Sequence, residues 1–237
     1  MRTLIRCGPP MVAVLLAAMA CNSNPTSPRY DPDIPAAWAS SVTNQWFPLE
    51  PGAIATFAAV TSEGAESTSV EVRANSRVVN GVTATEVLDR VFLDGSLIEE
   101  TYDWYAQDID GNVWYLGEDS KEYDNGTVVS SAGSWEWGVG GALPGLIMWA
   151  DPPSHIGEKY RQEYDKGNAE DWAKVLSTGE TVTVPSGTYN GCIKTEDWNG
   201  LGSGREHKYY CSSLGLVLEV GKRGTGTRTE LVSHVAP

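Results

Sequence analysis

The sequence predicts an all-β domain, mainly antiparallel, whose strands follow one another as an up-and-down meander curled into a barrel or half-barrel, with at most one short helix. Three observations carry this reading. Four dipeptides, Asn80-Gly81, Asp94-Gly95, Asp110-Gly111 and Asn125-Gly126, recur at intervals of 14 to 16 residues. The runs between them are rich in Val, Thr, Tyr and Trp. The C-terminal third repeats the pattern of short β-favouring runs broken by glycine-rich turns. Asn-Gly and Asp-Gly are strong hairpin signals because both turn residues reach positive φ at little cost. Four in succession predict five consecutive antiparallel strands. The units share no sequence similarity, so this is not a repeat protein.

Taken in order, the chain opens with a segment outside the fold. Arg2 and Arg6 precede an apolar run, Met11 to Ala18, too short to span a bilayer permanently. Ala18-Met19-Ala20 then leads to Cys21. Residues 1–20 read as a signal peptide, and Cys21 as the acylated first residue of a lipoprotein, with plain cleavage at the same bond as the alternative. Residues 21–41 are Pro- and Ser-rich without periodicity and read as a tether. Residues 42–237 form a single β domain of roughly 195 residues, enough for a real core.

The stretch Asp108 to Trp114, DIDGNVW, looks at first like a calcium loop. A helix–loop–helix loop needs Gly at its sixth position and Glu at its twelfth. Counted from Asp108, Gly comes fourth and the twelfth residue is Asp119, and both flanks are strand-like. The stretch matches a type I turn closed by a glycine bulge instead. Pairing Asp108 with Asn112 then sets Ala106 opposite Trp114, Trp104 opposite Leu116 and Tyr102 opposite Glu118. Ile98, Tyr102, Trp104, Trp114 and Leu116 share one face, joined by Val87 and Val91, with Glu118 at its edge. Asp103, Tyr105, Gln107 and Tyr115 occupy the other face.

Further strands are expected at Thr188 to Glu196, Glu206 to Cys211, Leu214 to Arg223 and Arg228 to His234, for about ten in all. Ala169 to Ser177 is the one candidate helix. Ala132 to His155 is apolar and rich in Gly and Pro, with Trp135, Trp137 and Trp149. It reads as a lid over a cavity or a plug at the sheet's end.

The net charge is −14, which argues against nucleic acid and anionic lipid headgroups as partners. With Cys7 and Cys21 set aside, Cys192 and Cys211 remain, an even pair expected to be oxidised in an exported protein. If they oppose one another directly, Lys194 faces Tyr209 and Glu196 faces His207. A carboxylate beside an imidazole suits acid–base work or a plain cross-strand ion pair. Glu118, Asp119 and Glu122 follow the aromatic hairpin, as carboxylates do in saccharide sites and at ordinary charged strand ends. There is no phosphate loop, dinucleotide fingerprint, G-x-S-x-G or H-E-x-x-H. No cofactor is implied, and with only three histidines no metal site is expected.

Several phrases resemble a family of uncharacterised exported bacterial β-rich proteins, often lipoproteins. They are NQWFPLEPG at Asn44 to Gly52, YDWYAQDIDGNVWYLGED at Tyr102 to Asp119, VTVPSGTYNGCIKT at Val182 to Thr195 and EHKYYCSSLGLVLE at Glu206 to Glu219. VTVPSGT and KYY…GLVL also occur in proteins resembling half-barrel lipoprotein carriers. The resemblance implies a fold and an envelope location; it implies no activity and no catalytic residue.

The function expected is that of an exported, lipid-anchored envelope protein. A cavity in its curled sheet binds a small amphiphilic or saccharide ligand without catalysis, lined by Trp104, Trp114, Glu118, Trp137 and Trp149. The alternative is a small extracellular hydrolase or lyase acting on a polysaccharide or similar polymer through Glu118, Asp119, Glu196 and His207. A purely structural envelope protein is the third reading.

Overall fold

The computed structural model of the protein describes residues 30–221 and 226–237. The signal segment, Cys21 and the first part of the tether lie outside the described residues. From Tyr30 onward the tether segment runs along the domain. Tyr30 Oη donates to Pro144 O at 3.0 Å, and Trp38 packs against Trp114 and Trp137 at centroid distances of 6.3 and 6.2 Å.

Among the described residues, fifteen strands make one antiparallel sheet. They are β1 Ile54–Val60, β2 Ala65–Val79, β3 Val82–Leu93, β4 Ser96–Gln107, β5 Val113–Asp124, β6 Thr127–Ser130, β7 Trp135–Glu136 and β8 Leu143–Met148, followed by β9 Lys159–Arg161, β10 Glu163–Tyr164, β11 Asp171–Val184, β12 Gly187–Asn199, β13 Arg205–Cys211, β14 Gly215–Gly221 and β15 Arg228–Val235. Two meanders, β1–β5 and β11–β15, meet where β1 pairs with β15. Beyond β5 the sheet continues through β8 to β10; beyond β11 it continues to β9. Only Gln162 separates β9 from β10, so both ends of the path meet in one kinked segment. The sheet is thus curled, in the manner of a half-barrel, rather than closed by a continuous strand. At this crossing a Cβ on Gly145 would lie 2.1 Å from Gln162 O, so the two backbones touch as only glycine permits.

All four predicted hairpins form. Asn80, Asp94 and Asn125 sit at φ of 44°, 48° and 51°, each followed by a positive-φ glycine, as two-residue primed turns require. The Asp108 corner differs in the way foreseen, with Gly111 alone at φ 94°. Asp108 is buried. Its Oδ1 accepts from Asn112 N at 2.9 Å, and its Oδ2 accepts from Asn112 Nδ2 and Trp114 Nε1, each at 2.9 Å. Both oxygens are held by N–H donors of the hairpin, so the calcium-like stretch is a corner pinned by its own aspartate.

The register needs correction further from that corner. Ala106 pairs with Trp114 and Tyr105 with Tyr115, but a bulge then sets Trp104 opposite Gly117 and Asp103 opposite Glu118. A second bulge near Ile98 sets Val87 opposite Asp103 and Val91 opposite Glu99. Each inserted residue turns the following side chains over. Val87, Asp103, Tyr105, Tyr115 and Glu118 therefore share the concave face, whereas Trp104 and Trp114 lie on the convex one. Gly117 makes the first bulge possible. Its φ is 143°, and a Cβ there would meet Trp135 O at 2.4 Å and Glu136 Cα at 2.8 Å.

Two other expectations change. Ala169 to Ser177 is not helical, because Asp171–Val184 is a strand paired with both β9 and β12. Ala173 and Val175 alternate inward and are fully buried, and that burial overrides the helical pattern. Residues 132–155 supply β7 and β8, which extend the sheet past β5, so this segment is neither lid nor plug. The cavity is instead closed over by residues 44–49. Asn44 holds that turn: Nδ2 donates to Gly111 O and Trp149 O at 2.9 and 3.0 Å, while Oδ1 accepts from Trp46 N at 2.8 Å.

The expected disulfide is present. Cys192 and Cys211 are bonded with Cα atoms 4.2 Å apart, Lys194 pairs with Tyr209, and Glu196 pairs with His207. A loop of this length is worth about 3 kcal/mol in the loop-entropy model.

Gly117→Ala is expected to destabilise the domain by about 2–4 kcal/mol, because backbone atoms block the new methyl. Gly126→Ala, at a turn with open space, should cost only about 1–2 kcal/mol. Urea unfolding of the two variants compares them, and equal losses would show that the contact with Trp135 is not decisive.

Candidate functional site

The curl encloses a cavity of about 440 Å³ between β3–β5 on one side and β13–β14 on the other. Its two ends differ. Phe47, Leu49, Phe57, Val70, Leu214 and Leu216 make one end apolar. Asp89, Asp103, Glu118, Glu163, Asp171 and Glu219 line the rest, with Lys208 as the one lysine or arginine among them. Alternation brings these groups in. Asp103 shares its face with Val87 and Tyr105, and Lys208 shares its face with Tyr210.

Aromatic rings separate the carboxylates. Tyr105 stacks on Tyr115 at 4.8 Å, Phe47 meets Tyr105 edge-on at 5.2 Å, and Trp135 meets Tyr115 edge-on at 5.4 Å. Tyr115 Oη lies 2.5 Å from Asp103 Oδ1 and 2.7 Å from Glu118 Oε2. One hydroxyl supplies one hydrogen. Both contacts are hydrogen bonds only when one carboxyl keeps its own proton and donates it to the phenol oxygen. Trp135 Nε1 donates to Glu163 Oε2 at 2.9 Å, and Lys208 Nζ lies 3.3 Å from Glu219 Oε1 and 3.2 Å from Glu206 Oε1.

The protonation equilibria follow from this enclosure. Burial, with Asp103 and Glu163 nearby, lifts Glu118 well above the usual carboxylate range. Asp103 is pushed up to about 7 by burial, against the hydrogen bond from Tyr115. Glu163 is pushed up to about 8 by burial and by Asp171, and burial lifts Asp171 to about 6. Asp89 is raised by burial first, then by Asp103. Burial opposes the charge on Lys208, but Glu219 and Glu206 together hold its pKa above the ordinary lysine value.

Of the site residues expected from sequence, only Glu118 reaches this cavity. Trp104 lies on the convex face under the Arg77 guanidinium, 4.0 Å from its ring. Trp137 is covered by Trp38. Trp114 and Trp149 border a second hollow of about 440 Å³ with Tyr30, Tyr160 and Trp172, and Trp149 stacks on His155 at 3.8 Å. Asp119 points outward and bonds Lys121 Nζ at 2.9 Å. Glu196 and His207 oppose one another on the side of β12 and β13 turned away from Lys208. The four acid–base candidates are therefore not brought together. Among the described residues, no three His, Cys, Asp or Glu side chains converge as metal ligands.

Sequence reasoning missed Asp89, Glu163, Asp171 and Glu219, and it missed Phe47 as the lid. A signal existed for the first change of face, since Gly117 is an isolated glycine inside a strand pattern.

Fold and cavity together define a curled antiparallel half-barrel with an internal acidic hollow. No protein-family model matches the chain, and a search of curated proteins finds no match. Two solved structures are similar in part. One, from Bacteroides fragilis, has a name that describes it as exported and YmcC-like in fold; it is 15% identical, with a TM-score of 0.47, over 81% of this chain and 100% of that one. The other, from Parabacteroides distasonis, has a name that describes it as a lipoprotein; it is 14% identical, with a TM-score of 0.41, over 81% of this chain and 99% of that one. Neither likeness bears on what the cavity holds.

The raised carboxyl groups fix the sign of the pH dependence. Between about pH 4 and about pH 8 the folded state holds protons that the unfolded chain has lost, so stability falls as pH rises through this window. The thermal midpoint should be higher at about pH 5 than at about pH 8, and Glu163→Gln should flatten the upper part of the slope. A midpoint that rises over this range would contradict the burial of these groups.

Proposed function

We propose that the chain is an exported envelope protein, anchored through a lipid on Cys21, whose curled sheet binds a small amphiphilic ligand without catalysis. The observation that carries this reading is the cavity of about 440 Å³, apolar at one end and polar at the other. That volume falls within the range of small-molecule sites, and the mixed lining suits a molecule with a head and a tail. The disulfide favours an oxidising compartment. The basic start, short apolar run and small residue before Cys21 favour lipoprotein processing. The hydrolase or lyase reading draws less support, since it needs Glu118 and His207 on one side of the sheet. A purely structural role leaves the enclosed cavity without a purpose.

Native mass spectrometry of the protein extracted from its own host's membranes tests this reading. A non-covalent adduct of a few hundred daltons is expected, lost on unfolding and absent from a Leu216→Trp variant that fills the apolar end. Cys21→Ser should release the protein from the membrane fraction. Ligand-free protein alone, together with a wild type that never enters that fraction, would overturn it.

A further inference from the structure

The cavity's charge balance says more about its occupant. Six carboxyl groups line it, and Lys208 already lies within 3.3 Å of Glu219 and 3.2 Å of Glu206. Asp89 borders the cavity, and its Oδ1, itself buried, has no hydrogen-bond partner. Asp171 Oδ1 is in the same state. A buried carboxyl oxygen without a donor is costly, and such groups in folded proteins normally meet a cation or an N–H. The tyrosine and phenylalanine rings beside these carboxylates offer π-faces, which also attract cations. No three ligand-type side chains converge among the described residues, so the arrangement suits an extended organic cation better than a metal ion.

We infer that the ligand is a cationic amphiphile: an alkylammonium group donates to Asp89 and its neighbouring carboxylates, and an apolar chain lies along Phe57, Val70 and Leu216. This inference rests on the binding reading given above and narrows it to one head-group chemistry. An ammonium supplies the N–H donors that Asp89 lacks, whereas an alcohol supplies one weaker donor. A sulfate or phosphate head brings only acceptors to a site lined by carboxyl oxygens whose one lysine is already paired.

Displacement of the neutral fluorophore N-phenyl-1-naphthylamine from the full-length protein provides the test. Decylamine, decanol and decyl sulfate are compared at about pH 9, above the range in which the folded protein holds the extra protons and where the amine still carries its own, below micelle formation. Decylamine should bind about ten- to a hundredfold more tightly than decanol, the advantage of a charge-assisted hydrogen bond, and decyl sulfate should bind most weakly. Asp89→Asn should reduce the amine's advantage over decanol to about twofold or less. Glu118→Gln, removed from Asp89 in sequence, is the second variant should the first fail to fold, with the same direction expected. Equal binding of amine and alcohol, or tightest binding of the sulfate, would overturn the inference while leaving an amphiphile-binding cavity intact. If neither the fluorophore nor any of the three binds, the binding reading itself falls.

Discussion

With no α-helix among the described residues, the single sheet must provide its own second layer. An apolar face open to water would be unstable. The sheet therefore bends until β3–β5 face β13–β14, and residues 44–49 fill part of the gap. Everything else depends on that bend. It requires the backbones of β8 and the 159–164 segment to touch at Gly145, and that contact gathers both ends of the strand path into one kinked segment. Free edges are a hazard for any sheet, and here they are used against one another.

The interior made in this way is not a conventional core. The lining of apolar and charged side chains leaves a space that the protein does not fill. Enclosing carboxyl groups opposes folding, and protons kept on them limit the penalty; the Asp103–Tyr115–Glu118 contact requires such a proton on one of its two carboxyls. Leu88, Leu116, Met148, Ile193 and Leu231 are fully buried outside its lining. Leu49, Val72, Val87 and Ile147 belong both to the buried core and to the cavity wall, so frame and hollow share residues.

The legible parts of the sequence were those set by local chemistry. Asn-Gly and Asp-Gly turns announce themselves because few residue pairs accept their backbone angles. The cysteine pair fixed a register over four further residues on each strand. The illegible parts depended on which face of a strand turns inward. Tyr102, Trp104 and Trp114 are large and apolar and looked like an interior face, yet Asp103, Tyr105 and Tyr115 hold that position. Glu118 reached the cavity although both the assumed register and the assumed inner face were off by one, and the two differences cancelled. Asp89, Glu163, Asp171 and Glu219 lie far apart in sequence, and only the curl makes them neighbours. Asp171 lies in Ala169 to Ser177, the one candidate helix, which pairing on both sides makes a strand.

The pairing of β1 with β15 places the beginning and end of the domain side by side in mid-sheet. Seen in time rather than space, this orders assembly. The hairpins of each meander need only nearby residues and can form as soon as they are made. The first strand, by contrast, must wait for β15, the last of the described strands. Until then each half carries an open edge, and the cavity has no opposite wall. Completing β15 is therefore the event that converts two separate ribbons into one vessel, and loss of Arg228–Val235 would remove the central seam rather than a frayed end.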